Sequence, residues 1–190
     1  MKKTNEKLMN IFYTGLFLIG FGFLSTQAMA AGVDTDDFID EAYAKGVAEI
    51  EGGKVAVQKS TFPAVQAYAK KMIEDHSAAN KDLRSLAIKK NVKLDDDAEL
   101  MSKTKNYILK QRDGESFDAA YVNNQIEAHQ AAIELYKDAS SSQDGDVRQL
   151  AATSLPKLER HLADAEALVS VIASSSNNIK VDDGKADYDN

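Results

Sequence analysis

The three histidines of the chain are the residues whose type and spacing could do chemistry. His76, His129 and His161 each lie in the apolar row of a different helical segment, where a polar residue is unusual. Neutral imidazole binds zinc, copper, iron or nickel, and a carboxylate on a fourth helix could complete the ligands. The pattern predicts a site for one transition-metal ion (zinc, iron or copper) formed by Glu49, His76, His129 and His161.

The positions of these residues along their helices predict that the four side chains meet. His76 and Glu49 lie at similar distances from the turn between the first two helices, and at about 1.5 Å per residue their depths differ by less than one turn. Across the next hairpin, the depths of His129 and His161 differ by about one turn. Asp75, beside His76, could accept a hydrogen bond from an imidazole ring and so orient it without binding the metal itself.

Other interpretations of the same residues stay open. Each histidine could fill a core position, which would make the protein a purely structural or partner-binding bundle without metal. Clustered imidazoles could also act as a pH switch, because they disfavour simultaneous protonation. A ferritin-like di-iron oxidase would carry Glu-x-x-His on two helices, but Ile73, Ile126 and Leu158 stand three residues before the histidines. With no catalytic motif either, the sequence favours a protein that is not an enzyme.

The segments that carry these residues predict an all-α fold. The chain has only two prolines, and its apolar residues recur at three- and four-residue steps. Ser116 is the expected cap of the third helix, and Pro156 should kink the fourth. The expected helices start near Thr35 and at Pro63, Phe117 and Asp144 or Asp146; they end before Ser60, near Lys90, at the Ser140–Ser142 run and near Ala173.

The connection between the second and third helices is too long for a simple turn. It contains the acidic Asp95–Asp97 and a predicted short helix at about Leu100–Arg112. Such a length favours a ferritin-like four-helix bundle with one long crossover, while up-and-down connectivity is the alternative. The bundle is assigned to residues 31–173, and the polar residues 174–190 are predicted to be a disordered tail.

The first 30 residues have the form of a signal peptide. A basic start is followed by an apolar run at Ile11–Leu24 and by Ala28-Met29-Ala30, which predicts cleavage after Ala30 and no stable transmembrane segment afterwards. The expected location is the periplasm, with a secreted or loosely envelope-associated protein as the alternative.

The chain has no cysteine, which excludes thiolate chemistry, and its net charge of −7 argues against a nucleic-acid partner. A protein partner or a homo-oligomer is not indicated.

Four groups of residues form a distinctive set. They are Gly46-x2-Glu49-x3-Gly53-x2-Ala56, Ala69-x2-Met72-x2-Asp75-His76, Phe117-Asp118-x2-Tyr121 with His129, and Leu155-Pro156-x4-His161. Taken together, they resemble an exported ferritin-like helical-bundle family of unknown function, often labelled "predicted outer membrane protein", over about residues 36–170. The resemblance implies a ferritin-like four-helix fold and a place in the cell envelope of a Gram-negative-type bacterium, and it implies no activity. An association with envelope stress is a further expectation.

Overall fold

The computed structural model describes residues 33–94 and 111–182, and four long helices make up most of these two ranges. No strand occurs within these two ranges, so the predicted all-α class is confirmed. The helices are α1 (Thr35–Lys59), α2 (Pro63–Lys90), α3 (Gly114–Ala139) and α4 (Gly145–Asp182).

Local signals explain where most helices begin and end. The Asp34 carboxylate accepts a hydrogen bond from the Asp36 amide at the start of α1. Pro63 opens α2, where its missing amide has no cost, and Asn91 closes that helix in the left-handed conformation at φ 59°. The Asp144 carboxylate accepts from the amides of the first turn of α4. These starts and stops agree with the sequence analysis.

Two helix ends differ from the sequence-based expectation. Helix α3 begins at Gly114 rather than after Ser116, and Ser116 donates to the Asp113 carbonyl instead of capping the helix. Helix α4 continues to Asp182, so an end near Ala173 and a disordered tail from residue 174 were wrong for 174–182. That stretch contains no proline or glycine, and extending an existing helix needs no new nucleus. Pro156 lies inside α4, and its kink stays a prediction.

Glycines allow α1 and α2 to pack closely as a hairpin. A Cβ atom on Gly46 would lie 2.0 Å from the Asn80 side-chain oxygen, and one on Gly53 would lie 3.0 Å from the Ala69 carbonyl oxygen. Neither contact leaves room for a methyl group. The glycines of α1 therefore allow α2 to approach closely.

The relative directions of the four helices establish a ferritin-like crossover. Helix α1 runs antiparallel to α3, because Phe38 packs on Tyr136 at one end and Lys59 pairs with Asp113 at the other. Helix α2 runs antiparallel to α4 in the same way, and the Lys89–Asp146 pair joins the end of α2 to the start of α4. Helices α2 and α3 are therefore parallel and diagonal to each other. The chain between them connects opposite ends of the bundle, which excludes up-and-down connectivity.

The interior consists of two apolar layers with a polar layer between them. One layer surrounds Phe38, Leu83 and Tyr136, and the other surrounds Met72, Phe117 and Tyr121. Burial of these side chains supplies the main favourable free energy of folding. The polar layer lies at the middle of the four helices and consists of Glu49, His76, Asn80, Gln125, His129 and His161.

Two predictions lie outside the described residues. The signal peptide with its cleavage site occupies the segment before residue 33, and most of the predicted short helix at Leu100–Arg112 falls between 94 and 111. No helix in the described part of the chain is both long and apolar enough to span a bilayer.

Candidate metal centre

The three histidines meet in the polar middle layer. Their ring centroids are 5.3–5.6 Å apart, and each ring offers one nitrogen such that the three nitrogens lie within 4.8 Å of one another. His129 and His161 are each 1% exposed and His76 is 8% exposed. One histidine comes from α2, one from α3 and one from α4, so the bundle has to fold before the group exists.

Hydrogen bonds fix the tautomers of two of the rings. The Nδ1 of His129 lies 2.8 Å from the Gln125 carbonyl oxygen, and the Nε2 of His161 lies 2.8 Å from Asp75 Oδ2. A carbonyl or a carboxylate only accepts, so both ring nitrogens donate their protons there. The lone pairs of neutral His129 and His161 are therefore on the opposite nitrogens, His129 Nε2 and His161 Nδ1.

One nitrogen of each ring has no hydrogen-bond partner among the described residues. These atoms are His76 Nε2, His129 Nε2 and His161 Nδ1, and all three are buried. Leaving a buried polar atom without a partner costs about 1–3 kcal/mol. Three such atoms on neighbouring rings are an expensive arrangement for a protein core, and a cation bound between the rings could satisfy them.

Asp75 positions His161. Its carboxylate accepts from His161 and also from Lys71 and Lys157, at 3.1 and 3.2 Å. Burial alone would raise the pKa of the Asp75 carboxyl, but these three hydrogen bonds outweigh burial and hold the pKa well below its usual range. The predicted supporting role of Asp75 therefore has a geometric basis, and the ring that it contacts is His161 on α4 rather than its neighbour His76.

All three imidazoles are neutral at neutral pH. Burial, with the nearby histidines, lowers the pKa of His76 to about 3, and burial lowers the pKa of His129 to about 4 despite its bond to the Gln125 carbonyl. Burial also lowers the pKa of His161, although the hydrogen bond to Asp75 opposes the change. Neutral imidazole is the form that binds a metal.

Glu49 lies in the same layer but outside the three-histidine group. Glu49 is 7% exposed and lines the cavity beside the histidines, yet among the described residues no carboxylate oxygen belongs to the 4.8 Å group of ligand atoms. Burial and then the charge of Glu49 raise the pKa of Tyr68 and of Tyr121, which shows that the carboxylate is near these two phenols. The structure thus brings three of the four predicted ligands together and leaves Glu49 adjacent.

A cavity of about 770 Å³ lies between the two hairpins and reaches the histidines. All three rings line it. Its other walls include Glu49 and Asn80 and the small side chains of Ala48, Ala128 and Ala132. The site can therefore be reached through a space much larger than an ion.

Two buried polar residues of this layer were missed by the sequence analysis. Asn80 donates to the Tyr43 carbonyl at 3.2 Å, and Gln125 is 1% exposed one helical turn before His129. Helical periodicity favours Ala79, three residues after His76, for the inward position on α2, but Ala79 is only half-buried and Asn80 is buried instead. The signal that could have found Asn80 was the glycine at position 46, which makes room for it.

The donor set fits a transition-metal ion better than a hard cation. Zinc–nitrogen bonds of about 2.1 Å hold tetrahedral ligand atoms about 3.4 Å apart, so an ion would draw the three rings inward from their present spacing. Three neutral nitrogen donors suit zinc, copper, iron or nickel, whereas calcium and magnesium prefer oxygen.

Comparisons with known proteins identify the domain and its fold. The profile of a domain of unknown function, DUF4142, matches residues 23–168. A crystal structure of a Streptomyces coelicolor DUF305 protein, described as secreted, is similar with a TM-score of 0.58 and 12% identity, covering 71% of this chain and 94% of that one. At this identity the likeness shows the fold alone. No curated protein matches the sequence.

Proposed function

The chain belongs to the DUF4142 family, whose function is unknown, and we propose that it is an exported helical-bundle protein that binds one transition-metal ion. The ligands are His76, His129 and His161, and Glu49 is a further ligand or a neighbour of the bound ion. The observation that carries this proposal is the convergence of three buried imidazoles from three helices, each with one nitrogen that lacks a hydrogen-bond partner among the described residues. The periplasm is the proposed location.

The energetics separate a metal site from a structural core. A histidine that serves only packing would use both ring nitrogens in hydrogen bonds, because an unpartnered buried nitrogen destabilises the fold. Here the hydrogen-bonded side of His129 faces its own helix and that of His161 faces Asp75, while the other side of each ring lacks a partner. This division between one supported and one available nitrogen is typical of metal-binding histidines.

The test uses tag-free protein, since a polyhistidine tag would bind the same ions. Elemental analysis and titration with Zn²⁺, Fe²⁺ and Cu²⁺ should find one ion per chain, and an ion present at about 100 times its dissociation constant should raise the free energy of unfolding by about 2.7 kcal/mol. His129→Phe removes a ligand while keeping a ring in the core, and it should abolish binding.

The matched control is Gln130→Ala, an exposed change one residue further along α3. It should bind metal as the wild type does. In the metal-free protein, His129→Phe should be at least as stable as the wild type, because it removes an unpartnered buried nitrogen. A wild-type protein that binds none of these ions, together with a His129→Phe variant that is less stable than it, would indicate a structural histidine cluster instead.

A further inference from the structure

The three-histidine group supplies fewer ligands than a closed site needs. Structural zinc sites have four protein ligands, whereas sites with three protein ligands keep a position for water or another molecule. Within the described residues, the group contains three nitrogens and no carboxylate oxygen at ligand distance. An ion held by His76, His129 and His161 alone would have an open coordination position.

The positive charge of an ion at this site would also be only partly compensated. Three neutral imidazoles carry no charge, and the Glu49 carboxylate in the same buried layer would offset only one of the two positive charges of a divalent ion. The remaining buried charge needs a further counter-charge. Asp75 does not provide it, because its carboxylate already accepts from Lys71 and Lys157. An anion on the open position would reduce the excess charge directly.

The space beside the histidines is large enough for a ligand to enter. The cavity of about 770 Å³ is many times the share of one water molecule in liquid water, about 30 Å³. All three ligand rings line this cavity, and so do alanine side chains from α1, α2 and α3. The open position of a bound ion is therefore accessible to small molecules.

We propose that this position binds a compact, singly charged anion from solution, which displaces water and reaches the ion through the cavity between the hairpins. The inference rests on the proposed metal site and goes further by assigning the ligand class of the ion's open position. The bundle would then bind a small anion only when the metal ion is bound.

The experiment uses Co²⁺ as the metal and azide as the anion. The visible absorption of Co²⁺ depends on its ligands and geometry, so it reports metal binding and anion binding separately. Tag-free protein should first develop a Co²⁺ spectrum at one ion per chain. Azide should then change that spectrum in a saturable way.

A pair of variants tests whether the bound anion occupies the cavity beside the histidines. Ala128→Leu narrows the cavity beside His129, while Ala119→Leu enlarges a half-buried alanine of the same helix that does not line it. Overpacking of about 1.4 kcal/mol corresponds to tenfold in affinity, so Ala128→Leu should weaken azide binding about tenfold and leave Co²⁺ binding intact. Ala119→Leu should change neither.

The possible failures are distinguishable. A protein that binds Co²⁺ but shows no spectral change with azide overturns the anion inference and leaves the metal site standing. A protein that binds no Co²⁺ overturns both. Equal azide affinities for Ala128→Leu and wild type would contradict the proposal that the bound anion occupies the cavity beside Ala128.

Discussion

Among single residues, Asp75 has the most defined role beside the histidines. It holds the proton of His161 on Nε2, which leaves the lone pair on Nδ1, an atom without a hydrogen-bond partner among the described residues. Asp75→Asn keeps the shape but removes the charge that accepts from His161 and both lysines. Loss of a carboxylate behind a metal-binding histidine typically weakens metal affinity about 10–100-fold, and we expect a loss of that size in competition with a chromophoric chelator.

Asp82→Asn is the matched control for this change. Asp82 is an exposed carboxylate on the same helix and also lines the cavity, so its substitution alters the charge near the site without touching His161. Metal affinity should stay at the wild-type value. If the two variants lose affinity equally, the effect of Asp75 is general electrostatics and not the orientation of the imidazole.

The spacing of single residues could predict part of the site. The inward stripes correctly place His76, His129 and His161 together, because depth along a straight helix follows from residue counts. Spacing could not predict that Asp75 would contact His161, since residues adjacent in sequence point about 100° apart around a helix and so face different neighbours. It also placed Glu49 at the right depth without showing that the carboxylate lies near Tyr68 and Tyr121.

At the scale of helices, the contact between α1 and α2 depends on the glycine face of α1. Alanine is the better helix former by about 0.5–1 kcal/mol, so Gly53→Ala would stabilise an isolated helix. In the bundle its methyl group would lie 3.0 Å from the Ala69 carbonyl oxygen and 2.8 Å from Ile73. We expect the variant to lose about 1–3 kcal/mol of unfolding free energy in urea titration.

Gly145→Ala provides the comparison for this prediction. The nearest atom to its new methyl group would be the flexible Arg148 guanidinium, at 3.6 Å, and Gly145 is the first residue of α4. Its stability should be equal to or slightly above that of the wild type. A Gly53→Ala protein that matches Gly145→Ala would mean that α1 and α2 can separate without cost.

Helix periodicity predicted which elements exist better than where they end. The four helices follow from apolar stripes that tertiary packing reinforces, whereas helix ends depend on a few local bonds. Ser116 has the residue type of a cap, yet α3 already begins at Gly114, where φ is +56°. The polar residues after Ala173 resemble a tail in composition, but nothing in them stops α4 before Asp182.

For the whole molecule, the length of the connection between α2 and α3 was enough to favour the ferritin-like crossover. The choice between the two topologies had to come from contacts, because both place the same stripes inward. The Phe38–Tyr136 and Lys59–Asp113 contacts fix the direction of α3 relative to α1. In this arrangement the middles of the long helices lie at one level, where the polar layer with the three histidines separates the two apolar layers.

Clustered neutral histidines should make the metal-free bundle sensitive to acid. The pKa of His76 falls from 6.5 unfolded to about 3 folded, and that of His129 falls from 6.5 to about 4. Between about pH 6.5 and 4 the unfolded chain therefore binds more protons than the folded one. The stability from these groups is fully present above about pH 6.5 and is lost as the pH falls, by about 1.4 kcal/mol per pH unit for each histidine.

Urea unfolding of the metal-free protein between about pH 7 and 5, with a chelator present, measures this dependence above the range where most carboxylates titrate. His129→Phe removes one of the titrating groups, so its unfolding free energy should fall less steeply with acidification than that of the wild type. Gln130→Ala should follow the wild-type curve. Parallel curves for wild type and His129→Phe would contradict the argument, because His129 would then bind protons equally in both states.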